Sequence, residues 1–194
     1  MSGGRLFVVR HGETEWSRAG RHTGRTDVPL VAEGRAQAAA VGGLLAGVGF
    51  ALVLTSPLVR AASTAALAGF GAAEPTDDLA EWDYGDFEGL TTEEIRAARP
   101  GWTLWTDGVV GGETAGEVGR RADRVIERAR AADGDTLAFS HGHLLRVLAA
   151  RWVGLPAAGG RLHALGPGSL SVLGWEREAP VVERWNQPAP ATPR

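Results

Sequence analysis

Three short runs in this 194-residue chain carry residues able to act on phosphate. Arg10-His11-Gly12-Glu13 follows the apolar run Leu6-Phe7-Val8-Val9. Arg60 lies a few residues beyond Ala51-Leu52-Val53-Leu54, and His141-Gly142-His143 follows Thr136 to Ser140. Arginine stays charged and presents a planar fork matched to phosphate oxygens. Phosphoryl transfer asks mainly for positioning and for stabilisation of charge on the equatorial oxygens. A neutral imidazole can attack phosphorus, and nearby cations keep an imidazole neutral by disfavouring a second positive charge. Other nucleophiles are scarce. The chain has no Cys, all twenty of its basic residues are Arg, and no Ser sits in a nucleophile-elbow pattern. Thiolate chemistry, disulfides, lysine Schiff bases and a P-loop lysine are thereby excluded. His11, beside Arg10 and before the permissive Gly12, is the candidate nucleophile. A single His after a strand is more often structural than catalytic; the three runs together favour function.

The elements that would position these residues follow from pattern. Leu6–Val9, Ala51–Leu54 and Thr136–Phe139 read as buried strands. Leu30–Ala46 reads as an alanine-rich helix, and Ser56-Pro57 as an N-cap with proline at the first helical position, leading a helix to about Leu67. Thr91-Thr92-Glu93-Glu94 and Thr114-Ala115-Gly116-Glu117 resemble capping boxes, the second opening a helix to about Ala132. A helix follows His143, and Leu170–Trp175 and Val181–Trp185 read as late strands. The stretch from Asp77 to Gly112 is irregular and Trp-rich. Strands alternating with helices predict an α/β fold: a three-layer α/β/α sandwich around a mostly parallel sheet. Ligands of such sheets bind beyond the carboxyl ends of the strands, where Arg10, His11, Arg60 and His141 would meet.

Length suits one domain, taken as residues 1–186, with a disordered proline-rich tail over 187–194. Net charge is −3, which offers no general surface for nucleic acid or membrane. Met1–Arg5 shows no signal-peptide pattern, so a cytoplasmic location is the default expectation. Alanine-rich helix faces would permit a homodimer without requiring one.

The chain also resembles a known family. Leu6–Trp16 (LFVVRHGETEW), Arg21–Leu30, Thr55–Ala65, Glu81–Leu90 (EWDYGDFEGL), Gly111–Thr114 (GGET) and Phe139–Arg146 (FSHGHLLR) are similar, in order, to blocks of the histidine phosphatase superfamily, which includes the cofactor-dependent phosphoglycerate mutases. The resemblance implies a phosphoglycerate mutase-like fold, no metal and no cofactor. It implies His11 as nucleophile, with Arg10, Arg60 and His141 on the phosphoryl oxygens. Glu81 would be the general acid, then the base for water, and that role predicts an acidic optimum. Without the resemblance Glu81 is one of several loop carboxylates, beside Asp83, Asp86 and Glu88. Thr23, Gly24 and Gly142 match substrate-loop and backbone positions. Ser17 stands where phosphoglycerate mutases usually carry Asn, and its shorter side chain weakens the case for a phosphate contact there.

Between Glu81 and His141 the chain is compact, with only Arg96 and Arg99 as basic residues before the late helix. It lacks the long basic insertion that resembling mutases use to exclude water. Hydrolysis of a small phosphorylated substrate, in the manner of acid phosphatases and sedoheptulose-bisphosphatase-type enzymes, is therefore favoured over phosphoglycerate mutase action. A catalytically inactive phosphate-binding regulatory module and a phosphoprotein phosphatase are the other readings. A metal on His141 and His143 with Asp83 or Asp86 lacks a recognisable ligand framework. Arg18, Arg21, His22 and Arg25 read equally well as a second phosphate site or as solvated loop charges. Trp16, Trp82, Tyr84, Trp102 and Trp105 would wall a pocket or pack the irregular segment, packing being favoured for the last two.

Overall fold

The computed structural model describes residues 3–190. Six strands form one sheet: β1 (Leu6–Arg10), β2 (Leu52–Thr55), β3 (Glu74–Pro75), β4 (Thr136–Ser140), β5 (Ser169–Glu176) and β6 (Ala179–Pro188), in the spatial order β3-β2-β4-β1-β5-β6. The first four are parallel; β5 and β6 add an antiparallel edge. The helices are α1 (Glu15–Arg18), α2 (Ala32–Leu45), α3 (Val59–Leu67), α4 (Thr92–Ala98), α5 (Leu104–Asp107), α6 (Ala115–Ala131) and α7 (Gly142–Trp152).

Alternation along β1 builds the two cores. Phe7 and Val9 face one side, where they pack with Val41 and Leu45 of α2, Ala65 of α3 and Phe139. Leu6 and Val8 face the other, with Val118, Val125 and Ile126 of α6 and Leu144, Leu145 and Leu148 of α7. Successive strand residues point to opposite faces, so a run of apolar residues is what a sheet covered on both sides requires. This is the expected three-layer α/β/α sandwich.

Register sets the site. Arg10 pairs with Ser140 and Thr55 with Phe139, so three carboxyl ends finish level. The ladder runs one residue further on each side, with His11 N–H to Ser140 C=O and Ser56 N–H to Phe139 C=O, both at 2.9 Å. His11, Ser56 and His141 thus leave the sheet side by side. A glycine contact seats the first of them. A Cβ on Gly12 would lie 2.1 Å from the Gly34 carbonyl oxygen, and one on Gly34 would lie 2.0 Å from that of Glu13. The loop carrying His11 therefore rests directly on the α2 backbone.

Both capping boxes are present, Thr91 with Glu94 and Thr114 with Glu117. Three local expectations are corrected. Ser56-Pro57 does not supply the N-cap of α3: the helix begins at Val59, whose N–H is held by Asp27 Oδ1 at 2.8 Å, while the Ser56 hydroxyl accepts from Leu58 N–H ahead of it and also meets His141. The first long helix starts at Ala32 rather than Leu30, because Leu30 bridges to Thr14. Gln187 and Pro188 belong to β6, pairing with Leu170 and Ser169, so a tail cannot begin at 187; residues 191–194 of the expected tail lie outside the described residues. Among the described residues no helix is long and apolar enough to cross a membrane.

Candidate active site

A pocket of about 200 Å³ opens at the level carboxyl ends of the strands. Arg10, His11, Ser17, Thr23, Glu81 and Gly142 line it, joined by Arg21, His22, Tyr84, His143 and Arg146. His11 is buried except for the edge that meets the pocket. Its Nδ1 lies 2.7 Å from the Gly12 carbonyl oxygen. A carbonyl only accepts, so in the neutral ring Nδ1 carries the proton and Nε2 keeps its lone pair. Burial, and then the charges of Arg10 and Arg60, hold the His11 pKa well below its ordinary value. The arrangement supplies an uncharged imidazole with one free basic nitrogen even in mild acid.

Arg10 donates Nη1 to the Leu165 carbonyl, while its Nε–H is buried without a partner. An unsatisfied buried donor is costly, and an anion in the pocket would satisfy it. Gly142 makes room for that guanidinium, since a Cβ there would sit 3.3 Å from its Nε.

Arg60 and His141 are fully buried and do not line the pocket. Four donations from Arg60 stay within the protein: Nε to His141 Nδ1 at 3.1 Å, Nη1 to Thr26 C=O, and Nη2 to the carbonyls of Thr23 and Gly24. Because Arg60 Nε–H donates to His141 Nδ1, the neutral ring carries its proton on Nε2, 2.7 Å from Ser56 Oγ. The two imidazole centroids lie 5.2 Å apart. With one nitrogen facing a guanidinium, His141 is unsuited to share a metal with His143.

Glu81 is buried where α7 begins. Its Oε1 accepts from Trp82 N–H and Leu144 N–H, each at 2.9 Å, and its Oε2 accepts from His143 N–H at 3.0 Å. Oε1 is thus doubly engaged and Oε2 singly, so Oε2 has the freer lone pair for a proton.

The remaining expected residues divide. Ser17 lines the pocket, but its hydroxyl closes the capping box of α1 with Thr14. Thr23 lines the pocket, whereas Gly24 lies behind it; the Gly24 and Thr26 N–H groups are held by the Glu88 carboxylate. Arg18 is paired with Glu13 and Glu33, and Arg25 with Asp83, so neither joins a second anion site. Arg21 and His22 do face the pocket. Trp82 and Trp102 are core, and Tyr84 is the aromatic residue that reaches the pocket wall.

Sequence reasoning weighed His143 only as a metal ligand and gave Arg146 no role. His143 Nδ1 meets the Tyr84 hydroxyl at 2.6 Å, and its ring stacks parallel to His22 with centroids 6.1 Å apart. Arg146 lies over Trp105, 4.6 Å from the ring centroid, and donates to the Gly160 carbonyl. Its place one turn past His143 on α7 was a readable signal, because residues three apart share a helix face.

His11 and His141 are buried and His143 half-buried, and desolvation is the first cause that pushes all three pKa values well below normal. The unfolded chain takes up protons near pH 6.5 that the folded one refuses, so stability is lost as pH falls below that value. Unfolding should therefore become easier between pH 6.5 and 5.5. Urea denaturation at the two values checks this, and equal stability at both would refute it.

An uncharged imidazole, a bracket of guanidiniums and a carboxylate facing them, at the ends of parallel strands, make the constellation of a phosphohydrolase. Residues 6–188 match the histidine phosphatase superfamily (branch 1), and the chain belongs to that family. It is 43% identical to an acid phosphatase of Mycobacterium tuberculosis over 193 residues, 96% of this chain and 95% of that one. It is 35% identical to sedoheptulose 1,7-bisphosphatase of Saccharomyces cerevisiae over 184 residues, 78% of this chain and 68% of that one. A solved Mycobacterium tuberculosis structure superposes with a TM-score of 0.92 at 42% identity, covering 96% of this chain and 98% of the other. The chain is a histidine-type phosphatase, in its acid phosphatase and sedoheptulose-bisphosphatase branch.

Proposed function

We propose that the chain hydrolyses small phosphorylated metabolites, sugar phosphates foremost, through a phosphohistidine on His11 and without a metal. The observation that carries this reading is the free Nε2 of a neutral His11 in the same pocket as Glu81 Oε2. Nε2 attacks phosphorus as the ester P–O bond breaks, and the leaving oxygen takes the proton of Glu81. The carboxylate left behind then removes a proton from water. The resulting hydroxide displaces His11, releasing phosphate and restoring both groups. Arg10 Nε–H and the first N–H of α7, on Gly142, bind the phosphoryl oxygens. His141 Nε2–H and the remaining N–H of Arg60 turn to the same oxygens when the anion enters, with Ser56 exchanged for a charge-assisted bond.

Beyond the phosphoryl position the wall holds Arg146, Arg21, His22 and His143. Burial lowers the Arg146 pKa, and its head donates to backbone carbonyls. A guanidinium so placed suits a second anionic or hydroxyl-rich part of the substrate. The yeast relative is named for a sugar bisphosphate, which is consistent with this wall.

A phosphate-release screen over sugar monophosphates, sugar bisphosphates and aryl phosphates, with and without chelator, tests the reading. Activity should survive chelation. Arg146→Met should raise KM for a sugar bisphosphate about tenfold while moving an aryl phosphate little. Chelator-sensitive turnover, or isomerisation of a phosphoglycerate faster than hydrolysis, would overturn it.

A further inference from the structure

Glu81 sits on a segment with little regular structure of its own, from Asp78 to Asp83. Beside the Ser140 hydroxyl on the Leu79 carbonyl and Arg124 on the Asp78 carboxylate, an ion pair on the far side from the pocket holds that segment. Arg121, on the second turn of α6, meets Glu113 through both Nε and Nη2, at 2.8 and 2.7 Å. The same guanidinium donates to three carbonyls of the segment: Asp78 at 3.1 Å, Ala80 at 2.8 Å and Glu81 itself at 3.3 Å. Glu113 holds the other end. Its Oε2 accepts from Asp83 N–H at 3.0 Å and its backbone N–H donates to Asp83 C=O at 2.9 Å, while its carbonyl accepts from Trp82 Nε1 at 2.8 Å. The fork is itself held by the helix beneath it, since Val118, Ala122 and Val125 of α6 are buried in the core.

We infer that Arg121, oriented by Glu113, is a positioning residue for the acid–base step: it sets where Glu81 Oε2 stands relative to the leaving oxygen. Neither residue lines the catalytic pocket. Both line a cavity on the opposite side of Glu81, which places them behind the acid and clear of the phosphoryl oxygens. A guanidinium satisfying three carbonyls at once is a stiff spacer, and a lysine in its place would be a point charge without the fork. Proton transfer is sensitive to such spacing, because a displacement near 1 Å can cost roughly 100-fold in rate. Phosphorus capture depends on His11 and Arg10, which hang from β1 and take no bond from this pair. The two halves of the reaction therefore rest on separate supports, and α6 carries the half that handles protons.

This inference rests on Glu81 being the acid, and the test separates the two. Glycerol phosphate has a poor leaving group that must be protonated; dinitrophenyl phosphate has one that need not be. The readout is the pre-steady-state rate of leaving-group release, with phosphate inhibition as a measure of the intact anion site. Arg121→Met should slow release from glycerol phosphate roughly 100-fold, shift dinitrophenyl release less than about threefold and leave phosphate inhibition unchanged. Combining it with Glu81→Gln should cause no further loss, as expected of residues acting through one step. Arg121→Lys should recover only part of the rate. Should Arg121→Met fail to fold, the near-isosteric Glu113→Gln carries the same expectation. Equal slowing of both substrates, or additive loss with Glu81→Gln, would reduce the pair to fold support and overturn the inference. A leaving-group-dependent Glu81→Gln beside a flat Arg121→Met would overturn this inference alone. A Glu81→Gln that slows both substrates equally would overturn the acid assignment and this inference together.

Discussion

His11→Gln protein is expected to fold, to bind phosphate, and to lose at least roughly 10⁴-fold in phosphomonoester hydrolysis. Glutamine fills most of the imidazole volume, and its amide can still donate to the Gly12 carbonyl that now accepts from Nδ1. It has no nitrogen lone pair able to attack phosphorus. Arg10 and the α7 N-terminus are left in place, so the anion site survives the loss of the nucleophile. The decisive measurement is trapping: wild-type enzyme quenched in alkali during turnover should retain about one labelled phosphoryl group per chain, and the variant none. A second readout comes from stability. Removing one imidazole whose pKa burial lowers should make unfolding less sensitive to acid. Hydrolysis within tenfold of wild type would place the nucleophile elsewhere.

Much of the framework was legible because it rests on local rules. The buried strands are short apolar runs, and α4 and α6 begin at capping boxes whose hydrogen bonds are visible in the residue types. The convergence of Arg10, His11, Arg60 and His141 followed from strand ends alone. What failed depended on long-range partners. Ser56-Pro57 has the form of an N-cap, but Asp27 reaches across to cap α3, and Ser56 is drawn to His141. Glu88 looked like one acidic residue among several; only the fold brings Gly24 and Thr26 N–H groups to it, and so lets that loop hold Arg60. Gly34 sits in a helix pattern where glycine is ordinarily a weakness, and its use appears only when the Glu13 backbone is laid against it. Gln187 and Pro188 read as tail because proline disfavours strands, yet an edge strand with its N–H side free tolerates one. Roles that depend on a residue's own chemistry could be read early. Those set by what a side chain touches across the fold could not.

Glu81→Gln should divide the reaction in two. Glutamine keeps one acceptor oxygen for the Trp82 and Leu144 N–H groups and gives up only the bond from His143 N–H, but it has no proton to give and no carboxylate to take one. Hydrolysis of an alkyl phosphate should fall roughly 10³-fold, within the range general acid–base groups contribute. An activated aryl phosphate should still transfer its phosphoryl group to His11, because its leaving group departs without help. The second half-reaction then stalls, since water must lose a proton as it attacks. The variant should therefore accumulate phosphohistidine during aryl phosphate turnover, with a burst of released phenol followed by a slow steady state. The pH profile separates the same roles. General acid catalysis needs a proton on the acid, so alkyl phosphate cleavage should decline toward alkaline pH. On the acid side the lowered His11 pKa should let the rate hold to lower pH than an ordinary histidine would allow. In Glu81→Gln the alkaline decline should vanish. A wild-type rate that is level from acid to alkali, or a variant that turns over without accumulating phosphoenzyme, would remove Glu81 from both proton transfers. The pocket would then have to draw its acid from another proton-bearing group on its wall, such as Tyr84, His22 or His143.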